Sequence, residues 1–111
     1  MDISQFNGIV DTRIQKIKEV LQTKGAEYGS IDRLHNFRVA GRIKNETPLK
    51  AAWGMFMKHL VCIYDMVEGH SDITPYMIDE KIGDAINYLV IMEAICIEEM
   101  GRIQRIKEAI K

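Results

Sequence analysis

The chain has 111 residues, 47% of them hydrophobic and 28% charged, which suits one compact domain and excludes a disordered chain or a two-domain enzyme. A formal net charge of −1 gives no global basic field, so neither polymeric nucleic acid nor an anionic membrane surface is an expected partner. From Lys50 onward no charge-free stretch reaches the ~18 residues of a spanning helix, and the start MDISQFNG lacks a basic segment followed by an apolar one, so the expected location is the cytoplasm.

No alternating Val/Ile/Thr-rich run bounded by turn residues occurs, whereas four segments carry apolar residues at three- and four-residue spacing. The expected fold is all-α, a single helical domain over 1–111. A first helix is expected from Asp11 as N-cap, through Ile14, Ile17, Val20 and Leu21, to Gly25, which suits a left-handed C-terminal position. After GAEYGS, a second helix is expected over Asp32 to Lys44, with Leu34, Phe37, Val39 and Ile43 inward. Thr47-Pro48 and Thr74-Pro75 each place a capping hydroxyl before a proline at the first helical position. The third helix then runs from Pro48 to about Glu68, stopping at Gly69, and the fourth from Pro75 to about Met100.

Within the fourth helix, AINYLVIMEAICI is apolar nearly all round, the pattern of a helix covered on several sides, either a central helix or a subunit interface. Beyond Gly101, RIQRIKEAIK keeps the helical period, as a fifth C-terminal helix or as an extension of the fourth. Short connections make neighbouring helices antiparallel, as in a four-helix bundle. A domain of this size leaves roughly a third of its unfolded surface exposed even when folded, so the expectation is a homo-oligomer. Cys62 and Cys96 lie in apolar helical patterns and are read as buried, reduced thiols.

Charge is unevenly distributed. Residues 33–50 hold Arg33, Arg38, Arg42, Lys44 and Lys50 against Glu46 alone, while residues 65–84 hold Asp65, Glu68, Asp72, Asp79, Glu80 and Asp84 against Lys81. Asp65 and Glu68 are three apart and Glu80 and Asp84 four apart, so each pair shares a helix face. Antiparallel pairing of the third and fourth helices would let Glu68, Glu80 and Asp84 hold one Mg²⁺, a hard cation that needs oxygen ligands, with Asp65 as a further ligand or water-orienting base. The plain alternative for both charge runs is a solvated helix face.

In D-R-L-H-N-F, beside EYGS, polar and aromatic residues concentrate. Tyr28, His35 and Asn36 are placed to hold a base or sugar, and Arg38 and Arg42, four apart, to take phosphates. Their structural alternative is a core Tyr28 and a loop braced by His35 and Asn36. His59, in the apolar GMFMKHLVCIYD, reads first as a core or boundary histidine. Asn87, one turn from Asp84 in an apolar helix, needs a partner, supplied by a pocket wall or an interhelical hydrogen bond. No nucleophile elbow, C-x-x-C, P-loop or dinucleotide fingerprint occurs, which narrows enzymatic options to metal-assisted hydrolysis.

On KGAEYGSIDRLHNF, KHLVCIYD and DEKIGDAINYL, roughly residues 20 to 98, the chain resembles small phage and prophage proteins of unassigned function. More distantly, the Glu80–Asp84 helix looks like the second acidic motif of MazG-type all-α nucleoside triphosphate pyrophosphohydrolases, which pair E-x-x-E and E-x-x-D helices around Mg²⁺ on a triphosphate. The matching positions are Asp65 and Glu68, then Glu80 and Asp84. Asp65 replaces the first Glu, three residues separate the second pair, and Lys81 stands where that family has its second-motif Glu.

Three functions are therefore weighed. The first is binding of a nucleotide or related phosphate-bearing small molecule without turnover, for which the phage resemblance implies sequestration of a host-defence nucleotide signal. The second is Mg²⁺-dependent hydrolysis of a nucleoside triphosphate to monophosphate and pyrophosphate. The third is a protein–protein adaptor.

Overall fold

The computed structural model describes residues 1–24 and 32–111. Helix α1 spans Ile3–Lys18 and starts earlier than the sequence suggests. The N-cap is Asp2, not Asp11: the Asp2 carboxylate accepts from the Gln5 amide at 2.8 Å while the Gln5 side chain accepts from the Asp2 amide at 2.9 Å. This reciprocal box satisfies two otherwise orphaned donors, and D-x-x-Q is its signature. The helix continues into a π-helical segment, Glu19–Lys24.

Helix α2, His35–Lys44, begins three residues after the expected Asp32, whose side chain instead accepts from the Leu34 amide. It ends at Asn45, which takes the left-handed conformation at φ 54. The chain then turns at once into α3, Pro48–Val67, capped by the Thr47 hydroxyl on the Lys50 amide. Gly41 permits this corner, because a Cβ there would lie 2.6 Å from the Glu46 carbonyl oxygen.

The fourth helical run, α4, opens with one turn, Pro75–Met77, capped by the Thr74 hydroxyl. It passes through a π-helical segment, Ile78–Gly83, and continues as a long α-helix, Asp84–Ile110. Gly101 does not interrupt it, so RIQRIKEAIK extends the helix. No strand occurs among the described residues, and the fold is all-α with four helices. No helix among them is long and apolar enough to cross a membrane.

Helix α3, rather than α4, is the central one. It packs against both α2 and α4, with Ala52 fully buried in a cluster with Phe37 and Ile95. Leu34, Leu49, Met55, Tyr88, Ile91 and Met92 close around this cluster. Helix α1 buries none of its residues and meets the rest through the π segment of α4. There Arg13 and Lys16 pair with Asp79 at 3.0 and 2.7 Å, and the Arg13 guanidinium lies over Gly83, where a Cβ would come within 2.5 Å of it. Hydrogen bonds from Lys16 and Arg13, that from Lys16 foremost, hold the Asp79 carboxyl below the usual range.

The molecule is consequently long and thin, 55 × 30 × 29 Å with a radius of gyration of 17.1 Å, against about 13 Å for a compact chain of this length. Cys62 is half-buried and Cys96 exposed, and both are free. The expectation of two buried thiols is thus corrected, since Cys96 lies on the side of α4 turned away from α3. At the α2–α3 corner, Gly41→Ala should destabilise the fold by about 1–3 kcal/mol, because backbone atoms cannot yield as a side chain can. Chemical denaturation of the variant beside the parent chain checks this.

Candidate functional site

Two polar neighbourhoods flank the central helix. The first lies between α2 and the second half of α4. Arg38 is gripped there by two carboxylates: its Nε donates to Asp32 Oδ2 at 2.6 Å, and its Nη2 to Glu98 Oε2 at 2.7 Å, with further bonds to both partners. Hydrogen bonds from Arg38 draw the Asp32 carboxyl down to about 2 and lower that of Glu98, while the two carboxylates raise the guanidinium pKa. The cluster clamps α2 to α4 across sixty residues of sequence.

Beside it opens a cavity of about 770 Å³ with an apolar floor of Leu34, Leu49 and Ile95 and a rim that includes Arg38 and Arg105. Of the residues expected to hold a ligand, His35, Arg38 and Arg42 share one side of α2 by their spacing, and Asn36 lies off that side. His35, Asn36 and Arg42 are exposed, and Tyr28 lies outside the described residues. Arg38 can meet a phosphate only by releasing Asp32 or Glu98.

The second neighbourhood lies in the seam between α3 and the start of α4. His59 stacks on Tyr88 with ring centroids 5.1 Å apart. Burial, and after it the charge of Asp84, pushes the Tyr88 phenol up. Asn87 is only 8% exposed, and its Oδ1 is buried without a hydrogen-bond partner, as is Nδ1 of His59. Such orphans are uncommon in folded proteins, because a buried acceptor left unpaired costs about 1–3 kcal/mol. Asp84, Asn87 and Tyr88 fall at i, i+3 and i+4, on one helical side, directly after the π segment that widens the preceding turns. π segments of this kind concentrate at functional sites.

The carboxylates expected to hold Mg²⁺ border this seam without converging. Asp84 is half-buried at the first turn of the α-helix, Glu80 is exposed in the π segment, and Glu68 is exposed at the end of α3. Asp65 is half-buried and lies 3.6 Å from His70 Nδ1. Among the described residues no three His, Cys, Asp or Glu side chains form a metal-sized group. Lys81 is half-buried in the same π segment.

Sequence reasoning singled out Asn87 from its polarity in an apolar helix and met His59 as a boundary residue. It did not find the Asp32–Arg38–Glu98 clamp, and nothing in the spacing of residues sixty apart announces it. No family model matches the chain, and neither a curated protein nor a solved structure matches it.

The clamp makes a pH-dependent contribution with a definite sign. Both carboxyls are lowered in the folded chain, so the stabilisation is full above their unfolded values and fades as pH falls through the folded ones. The stability gap between the parent and Arg38→Gln should therefore be constant near neutrality and close between about pH 4 and about pH 2. Thermal denaturation of both chains across that range measures it.

Proposed function

We propose that the protein binds a nucleotide or related phosphate-bearing small molecule in the seam between α3 and α4, without turning it over. The observation that carries the reading is the pair of orphaned polar atoms, Asn87 Oδ1 and His59 Nδ1, beside the stacked His59–Tyr88 rings. A buried amide oxygen accepts hydrogen bonds only, so the group that satisfies it must donate. Phosphate at neutral pH is a poor donor, whereas the amino or imide N–H of a base and the hydroxyl of a sugar are good ones. The base or sugar end therefore enters the seam, against the aromatic wall. The phosphates remain at its mouth, where Glu80 and Asp84 suit a bridging Mg²⁺.

Hydrolysis is the second reading, favoured by Glu80 and Asp84 standing four apart at the entrance. In it the same carboxylates hold the Mg²⁺ that polarises a phosphoryl oxygen and Asp65 orients water. The binding reading includes self-association of the chain.

The test is to incubate the protein with mono-, di-, tri- and cyclic nucleotides and Mg²⁺, remove unbound material, denature and chromatograph both fractions. Intact nucleotide released on denaturation is the expected result. New monophosphate with pyrophosphate in the free fraction would establish the hydrolase, and no retained or altered nucleotide would overturn both readings. Asn87→Leu should abolish retention and, by removing an unpaired buried acceptor, raise the stability of the ligand-free protein by about 1–3 kcal/mol. Retention equal to the parent's would sink the assignment. Asp84→Asn should weaken Mg²⁺-dependent retention at least about tenfold, as expected for loss of a charged cation ligand.

A further inference from the structure

The chain exposes far more surface than its mass requires. Its accessible area is 8430 Å² at 12.8 kDa, whereas a folded monomer of that mass exposes roughly 6300 Å². The surplus, roughly 2000 Å² per copy, matches the share each chain contributes to a large homodimer interface and exceeds the ~800 Å² per partner of a standard complex. Exposed apolar side chains on several helices contribute to it, and one regular run of them follows a side of α4 away from Ile95.

There Leu89, Cys96, Met100 and Ile103 are exposed, Leu89 by 52% and Met100 by 66%. With Glu93 between the first two, they recur at alternating four- and three-residue steps. That is the seam of a two-stranded coiled coil, and it fits a second helix of the same repeat. Glu93, exposed at mid-stripe, is the kind of polar seam residue that fixes register at a cost in stability.

Charge sets the direction. The first turns of α4 carry Glu80 and Asp84 against Lys81, with Asp79 already paired to Arg13 and Lys16, and the last carry Arg102, Arg105, Lys107 and Lys111 against Glu99 and Glu108. Parallel copies would set acid beside acid and base beside base. Antiparallel copies set each end beside its opposite, and an isologous two-fold contact allows it.

We propose that two copies of the chain pair antiparallel along this side of α4. The pairing rests on the self-association included in the binding reading and deepens it. The basic last turns of one copy come alongside the acidic entrance, with Glu80 and Asp84, of the other. That end already holds Arg13 and Lys16, paired with Asp79, and Lys81 of its own chain, and the partner's last turns would add further cations beside it.

Sedimentation equilibrium of the ligand-free protein should give twice the 12.8 kDa chain mass. Direction is read from spin labels at Ile110→Cys, in a chain with Cys62→Ala and Cys96→Ala. Antiparallel copies place the two labels roughly 40 Å apart, given 1.5 Å per residue from Ile110 to the middle of the stripe at Cys96 in each copy, and parallel copies place them within about 20 Å. Leu89→Glu with Met100→Glu, both on the exposed side, should return the single-chain mass, and Glu93→Leu should tighten the pair. A monomeric parent, or a short label distance, overturns the proposal. Because no nucleotide is present, either result leaves binding at the α3–α4 seam to be decided on its own.

Discussion

The structure hangs on one close approach, that of α3 to both of its neighbours at Ala51 and Ala52. Both alanines are 0% exposed, and Ala52 clusters with Phe37 of α2 and Ile95 of α4. Only a methyl group lets three helices come this near, and interiors packed to crystal-like density do not yield to larger groups without strain. The cluster is small, however. Among the described residues few side chains besides those of this cluster, such as Phe56 and Met66, are buried, and most large apolar residues stay partly in water. Each helix gives only a narrow strip to this cluster and leaves most of its surface in water.

That small core bears on the two features from which binding is proposed. A thick core would enclose Asn87 in apolar side chains and make its amide a plain defect. Here the core is small, and Asn87 Oδ1 and His59 Nδ1 are buried with no hydrogen-bond partner in the free chain, the condition that the proposed ligand would relieve. The π segment Ile78–Gly83 works in the same place. It changes the pitch just ahead of Asp84 and holds the acidic turns against α1 through Asp79, leaving Glu80 exposed.

The helices were legible where local chemistry sets them. Thr47-Pro48 and Thr74-Pro75 announced the starts of α3 and α4 because a hydroxyl acceptor and a residue without N–H are what a helix N-terminus needs. Asp2 carries the same kind of signal with Gln5, but the stronger apolar period after Asp11 drew the expected start there. Gly101 read as a stop and is not one, since a glycine within a long helix costs only about 1 kcal/mol. Of the site, Asn87 was legible because an amide in an apolar helix must be satisfied somehow. The engagement of Arg38 was not, because Glu98 reaches it only through the packing of α2 and α4 on α3. A basic residue chosen for phosphate from sequence alone had already been claimed by two carboxylates.

The central claim is that the orphaned groups of the α3–α4 seam are the receiving half of a binding site. The most direct measurement is nuclear magnetic resonance of the Asn87 side-chain amide and the His59 and Tyr88 rings during titration with nucleotides and Mg²⁺. Saturable shifts confined to those three residues and their neighbours from Glu80 to Asp84 are the predicted result. Unmoved seam signals, in a titration that shifts resonances elsewhere or none at all, would contradict it.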